Sequence, residues 1–182
     1  MKKLAILALL ALELAVFGCG SSTPKNSTTT TANGNWESLL NGGVGSASQL
    51  NFVTTFTVTD TTGVSNQPLN ITGFSFINAG ACFANGVGAA TESGNATLNT
   101  SGTNAVTGTL NFTVTSVTPP GNTLSLIGNL TGTSNGTTTT TGTLSSGVVS
   151  GTWTLNGGQG DPSCAGQGTF LMCQGASTCT VP

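Results

Sequence analysis

Glu37, Asp60, Glu92 and Asp161 are the side chains best suited to acid–base chemistry once the apolar start of the chain, which holds Glu13, is passed. Two carboxyls roughly 5–10 Å apart can hydrolyse a glycoside. These four are widely spaced and have little company: the 182 residues include three lysines (Lys2, Lys3 and Lys25) and no His, Arg or Tyr. General acid–base work at neutral pH most often uses His, or a carboxyl or Lys of shifted pKa. A nucleophilic Ser or Cys needs a base beside it, and the many Ser and Thr here have no His or nearby Lys to supply one. The expectation is a protein that is no enzyme, with a glycosidase-like carboxylate pair set aside as the alternative. Phosphate recognition wants Arg or Lys, so no nucleic acid partner is expected. No His–Cys zinc set and no Asp-rich calcium loop of EF-hand type is present, so no metal or other cofactor is expected either.

The amino terminus carries a different chemistry. Lys2 and Lys3 precede an apolar run from Leu4 to Phe17, broken only by Glu13, and Gly18-Cys19 follows. Fourteen residues are too few to span about 30 Å of hydrocarbon as a helix, but they suit the apolar region of a secretory signal. Val16-Phe17-Gly18-Cys19 resembles the bacterial lipobox, with Glu13 and the bulk of Phe17 as departures from that pattern. The resemblance implies that residues 1–18 are a signal peptide and that Cys19 is lipidated, becoming the first residue of the mature chain. It also implies that the membrane partner is reached through that lipid, since two or more acyl chains hold a protein on a bilayer stably. Gly20 stands where lipoproteins kept at the inner membrane carry Asp, which by the same resemblance implies the outer membrane of the cell envelope. The alternative is an ordinary signal cut nearby. Residues 19–33 then read as a tether, because Gly20 to Asn33 is Ser/Thr-rich and has no large apolar side chain to bury.

With Cys19 assigned to lipid, Cys82, Cys164, Cys173 and Cys179 remain, an even number in an exported chain. No Cys-x-x-Cys spacing points to redox or metal use, so two disulfides are expected. Four cysteines allow three connectivities. Cys173–Cys179, close in sequence, and Cys82–Cys164 are the favoured pairs.

Residues 34–182 read as a single antiparallel β domain, an up-and-down barrel or a sandwich of about eight to nine strands. In Val106–Val114 the even positions are apolar or Gly and the odd ones Thr or Asn, the period of a strand with one buried and one wet face. The same phase places Phe52, Phe56 and Val58 on one face, and likewise Leu124, Leu126 and Leu130. Further along it unites Val149, Gly151, Trp153 and Leu155, then Gly168, Phe170 and Met172. Leu69 and Ile71 are out of phase with Phe74 and Phe76, which predicts a bulge near Gly73. Asn41-Gly42-Gly43, Pro119-Pro120-Gly121-Asn122, Ser134-Asn135-Gly136 and Asn156-Gly157-Gly158 supply turns.

Thr107-Gly108-Thr109-Leu110 recurs as Thr141-Gly142-Thr143-Leu144, and more loosely as Ser150-Gly151-Thr152-Trp153 and Gln167-Gly168-Thr169-Phe170. A Gly beside a large residue on one face makes room for a neighbour's bulk, as closed barrels require. Together with the opening Gly34-Asn35-Trp36, these strands resemble calycin-type meanders, the lipocalin and avidin-like barrels. Most of the chain also resembles uncharacterised lipoproteins of soil bacteria, from which no activity carries over. Two functional expectations result. The first is a non-catalytic surface or structural module that contacts an envelope protein or polysaccharide. The second is a binder of a small apolar ligand, with Trp36 and Trp153 lining a cavity in the barrel.

Overall fold

The computed structural model describes residues 29–42, 50–60, 66–101, 104–136, 141–158, 162–175 and 179. Cys19, the expected signal peptide, most of the expected tether and Asp161 lie outside these residues. Nine strands follow one another: β1 Thr30–Gly42, β2 Asn51–Thr59, β3 Gln67–Pro68, β4 Asn70–Asn78, β5 Ala90–Thr100, β6 Ala105–Ser116, β7 Thr123–Ser134, β8 Gly142–Asn156 and β9 Gly166–Gln174. They form one sheet in the order β3-β5-β6-β7-β8-β9-β1-β2-β4. This is the expected all-β, up-and-down architecture, rolled into a nearly closed barrel. The last strand lies against the first, with Trp36 opposite Gln174 and Gly42 opposite Gly168.

Period two decides what is inside. Phe56, Leu110, Phe112, Val114, Leu126, Trp153 and Phe170 are all buried, while Thr109, between Leu110 and Gly108, is exposed. The interior is organised around rings. Phe52 stacks on Phe112 at 5.6 Å between centroids and meets Phe74 at 5.1 Å. Phe74 meets Phe76 at 5.0 Å, Phe76 meets Phe83 at 4.7 Å, and Trp36 stacks on Phe56 at 5.2 Å. Such contacts add roughly 0.5–1.5 kcal/mol each beyond the area buried. The glycines of the repeat make the space. A Cβ on Gly168 would stand 2.8 Å from the Trp153 indole nitrogen, so that site has no room for a side chain.

The wet face is held by short polar side chains. The Thr97 and Thr109 hydroxyls are 2.6 Å apart across β5 and β6, and Asn111 Nδ2 donates to Asn95 Oδ1 at 3.0 Å. Cross-strand pairs of this kind stabilise a sheet without large side chains.

The bulge is where the change of phase predicts it. Thr55 pairs with Gly73 and Phe56 with Ile71, leaving Thr72 unmatched on β4. Both favoured disulfides are present, Cys82–Cys164 and Cys173–Cys179, with Cα separations of 5.4 and 5.5 Å.

The expected boundary at Gly34 is corrected. β1 begins at Thr30, and Thr30 and Ala32 are buried. Residues 30–33 carry no large apolar group, yet Thr31 and Ala32 pair with Thr59 and Val58 along the β2 edge. The Thr30 hydroxyl lies 2.6 Å from that of Thr100 and donates to Ser134 Oγ at 3.1 Å. A ladder and a hydrogen-bonded plug order these residues where apolar burial would not.

Phe112→Ala is expected to lower stability by about 3–5 kcal/mol, through lost burial and a cavity in the ring column. Thr109→Ser, on the wet face of the same strand, should change it by less than about 0.5 kcal/mol. Equal tolerance of the two in thermal unfolding would contradict this assignment of faces.

Candidate functional site

The sheet closes on itself along only part of its height. Residues 67–78 run nearly unbroken, and the two ends of the run face different neighbours. Gln67 and Pro68 pair with Ala96 and Asn95 of β5, and Leu69 donates its N–H to the Gly94 carbonyl at 3.0 Å. From Asn70 onward β4 pairs with β2 instead. Below Leu69, the β4 edge turned away from β2 and the β5 edge turned away from β6, over residues 90–93, have no strand partner among the described residues. A cleft of about 710 Å³ lies here, lined among others by Phe74, Phe76, Ile77, Val87, Ala90 and Glu92.

The connection from β4 to β5 forms one wall. Its first part is pinned beneath the barrel: Ala79, Cys82 and Phe83 are buried, and Cys82 is bonded to Cys164. Buried Asn122 donates from Nδ2 to the Cys82 carbonyl at 2.6 Å and accepts at Oδ1 from the Gly158 N–H at 2.6 Å. Ala84 donates to the Thr118 carbonyl at 3.2 Å, and Val117 to that of Ala89 at 2.8 Å. Between these anchors Gly86 and Gly88 take φ of +125° and +77°, a region that other residues rarely adopt. Val87, between them, is fully exposed, and Ile77 across the cleft is 54 % exposed.

Glu92 faces this space. It lies opposite Val114 and shares the inward phase of β5 with Ala96 and Leu98, both buried. Burial pushes its carboxyl above the ordinary glutamate value, and a hydrogen bond with its own backbone acts in the other direction. No basic side chain occurs among the described residues, because all three lysines precede residue 29. The other acids are elsewhere. Glu37 is on the outward face of β1, beside a shallower hollow of about 420 Å³ that includes Asn35, Val53 and Thr55. Asp60 follows β2 at the opposite end of the barrel, its carboxyl also raised by burial. Among the described residues no three of His, Cys, Asp and Glu gather as a metal site.

Trp36 and Trp153 are fully buried in the core. Trp153 Nε1 donates to the Asn41 carbonyl at 3.0 Å, while Trp36 Nε1 has no hydrogen-bond partner. Cys82–Cys164 ties the β4–β5 connection to the short turn before β9, and Cys173–Cys179 joins β9, at a point opposite Glu37 and Val148, to the chain six residues on. The sequence marks Glu92 only as one of four acids, without placing it at a site. The signal available was its phase: it stands at an even position with Ala90, Ala96 and Leu98, a carboxylate on the apolar side of a strand. No protein-family model, curated protein or solved structure matches the chain.

A carboxyl whose pKa is raised by folding binds protons more tightly in the folded state. Its favourable contribution is complete below the unfolded pKa and is lost as pH rises through the folded one. Glu92→Gln is therefore expected to raise the melting temperature at pH 7 by up to about 2 °C, the group being still partly solvated. The gain should shrink towards pH 4. A gain equal at both pH values, or a loss at pH 7, would contradict the inward placement of this carboxylate.

Proposed function

We propose that the chain is a lipid-anchored envelope protein whose β domain is a non-catalytic interaction module. The observation that carries this reading is a barrel filled with side chains whose cleft opens at a strand seam, away from the end at which β1 begins. Trp36, Phe52, Phe56, Phe112 and Trp153 are wholly buried in the interior, which favours binding at the seam over a small apolar ligand held inside as in calycin barrels. Thr30 stands at the end of the barrel with Thr100 and Ser134. The cleft lies towards the other end, beside Ala84–Ala89. A lipid on Cys19 would thus present the cleft away from the bilayer, towards an envelope protein or polysaccharide. The near absence of charge on the domain gives little long-range steering, so recognition would rest on contact.

The test combines the anchor with the cleft. Cys19→Ala should abolish incorporation of labelled fatty acid and release the chain from the membrane fraction. A photo-crosslinking residue placed at Val87 should join the anchored protein to a defined envelope component. The same residue at Ile127, 62 % exposed on β7, should not. Equal labelling of the Cys19 variant and wild type would overturn the anchor, and equal yields at the two crosslinking positions would overturn the module.

A further inference from the structure

Resting on that reading, we propose that the β4–β5 cleft takes an extended strand of a partner protein, with a lysine or arginine of that strand set against Glu92. Two features of the cleft point to this occupant. The cleft is bounded by two strand edges, β4 beyond Leu69 and β5 over 90–93, that no other strand of the described chain covers. The β4 edge and, on β5, Ala90 and Glu92 turn backbone groups to the seam without a strand partner, the Glu92 N–H being met by its own carboxylate, and the group that matches the rest is another extended backbone. The volume of about 710 Å³ is within the range of sites that enclose a ligand segment.

Charge then narrows the partner. Glu92 points into the cleft with no cation from its own domain to meet it. A basic side chain entering there would bring a charge-assisted hydrogen bond to a partly desolvated carboxylate. A second copy of this chain has no basic residue in its β domain to offer, so the complementary strand comes from a different protein. Apolar contact completes the recognition: Ile77 and Val87 form an exposed rim, and half-buried Phe74 and Phe76 lie deeper.

An inward charge and a bulge are also how unpaired edges resist association. Edge protection accounts for Glu92 and for Thr72-Gly73. It does not account for the exposed apolar rim of Ile77 and Val87, which works against protection.

The experiment uses the full mature chain in detergent and three capped, fluorescent seven-residue peptides. One alternates threonine and valine with lysine at the centre; the second has glutamine there; the third is the lysine peptide N-methylated at alternate residues. Fluorescence anisotropy should show the lysine peptide binding about tenfold more tightly than the glutamine peptide. Glu92→Gln, confirmed as folded by circular dichroism, should erase that difference. N-methylation should weaken binding at least about tenfold, because it removes backbone donors and leaves the side chains in place. Equal binding of the lysine and glutamine peptides, or full binding of the methylated one, would overturn the proposal. So would a Glu92→Gln chain that self-associates while its peptide affinities are unchanged, since Glu92 would then be an edge guard alone. If all three peptides fail while crosslinking at Val87 still captures an envelope component, the strand proposal falls and the interaction module stands.

Discussion

Residues 67–78 must serve two neighbours, and the form of the whole barrel depends on how they divide that work. At Gln67 and Pro68 the chain bonds to β5; two residues after Pro68 it belongs to β2. A strand has two edges and could in principle pair on both. Here the bulge at Thr72-Gly73 intervenes, and a bulge bends and twists the strand that carries it. The rings of Phe74 and Phe76 then turn towards Phe52, Phe112 and Phe83, so β4 is held by ring packing and by β2. The barrel is sealed near Leu69 and opens below it. The cleft, the exposed rim and the position of Glu92 all follow from that division.

The scarcity of charge has consequences at the same place. A partly buried carboxylate usually finds an Arg or Lys, and the β domain has neither. Desolvation of the Glu92 carboxyl, which disfavours the ionised form, outweighs the hydrogen bond with its own backbone. In most proteins one such group would be a minor feature among many ion pairs. In this domain it is the charge with the clearest direction, aimed at the one seam where the sheet has failed to close among the described residues.

Much of the fold was legible because period two is a strong signal when Thr, Asn and Gly mark the wet face. The faces of β2, β6, β7, β8 and β9 follow from it, as does the bulge in β4. The favoured cysteine pairs followed from an even count and short sequence spacing at the carboxyl end. Composition alone assigns residues 30–33 to the tether, because it reports apolar burial and is blind to a ladder with hydroxyl pairing, which is what orders Thr30. The candidate site was least legible. Its parts are ordinary in the sequence: a Glu among small residues, a Val between glycines, an Ile at a strand end. They acquire meaning only from a closure that stops at Leu69, and that is a property of register across strands distant in sequence.

The barrel is sealed at Leu69 and, among the described residues, unpaired below it. Amide hydrogen exchange resolved by residue tests this most directly, because protection reports whether a backbone N–H has a stable partner. Amides of β6 and β7 between Val106 and Leu130, paired on both sides, should be among the slowest in the protein. Those amides of β4 below Leu69 and of β5 over 90–93 that face the seam should exchange at least about a hundredfold faster. Seam amides as slow as those of β6 and β7 would mean that β4 and β5 are joined along their length, and the open seam would not exist.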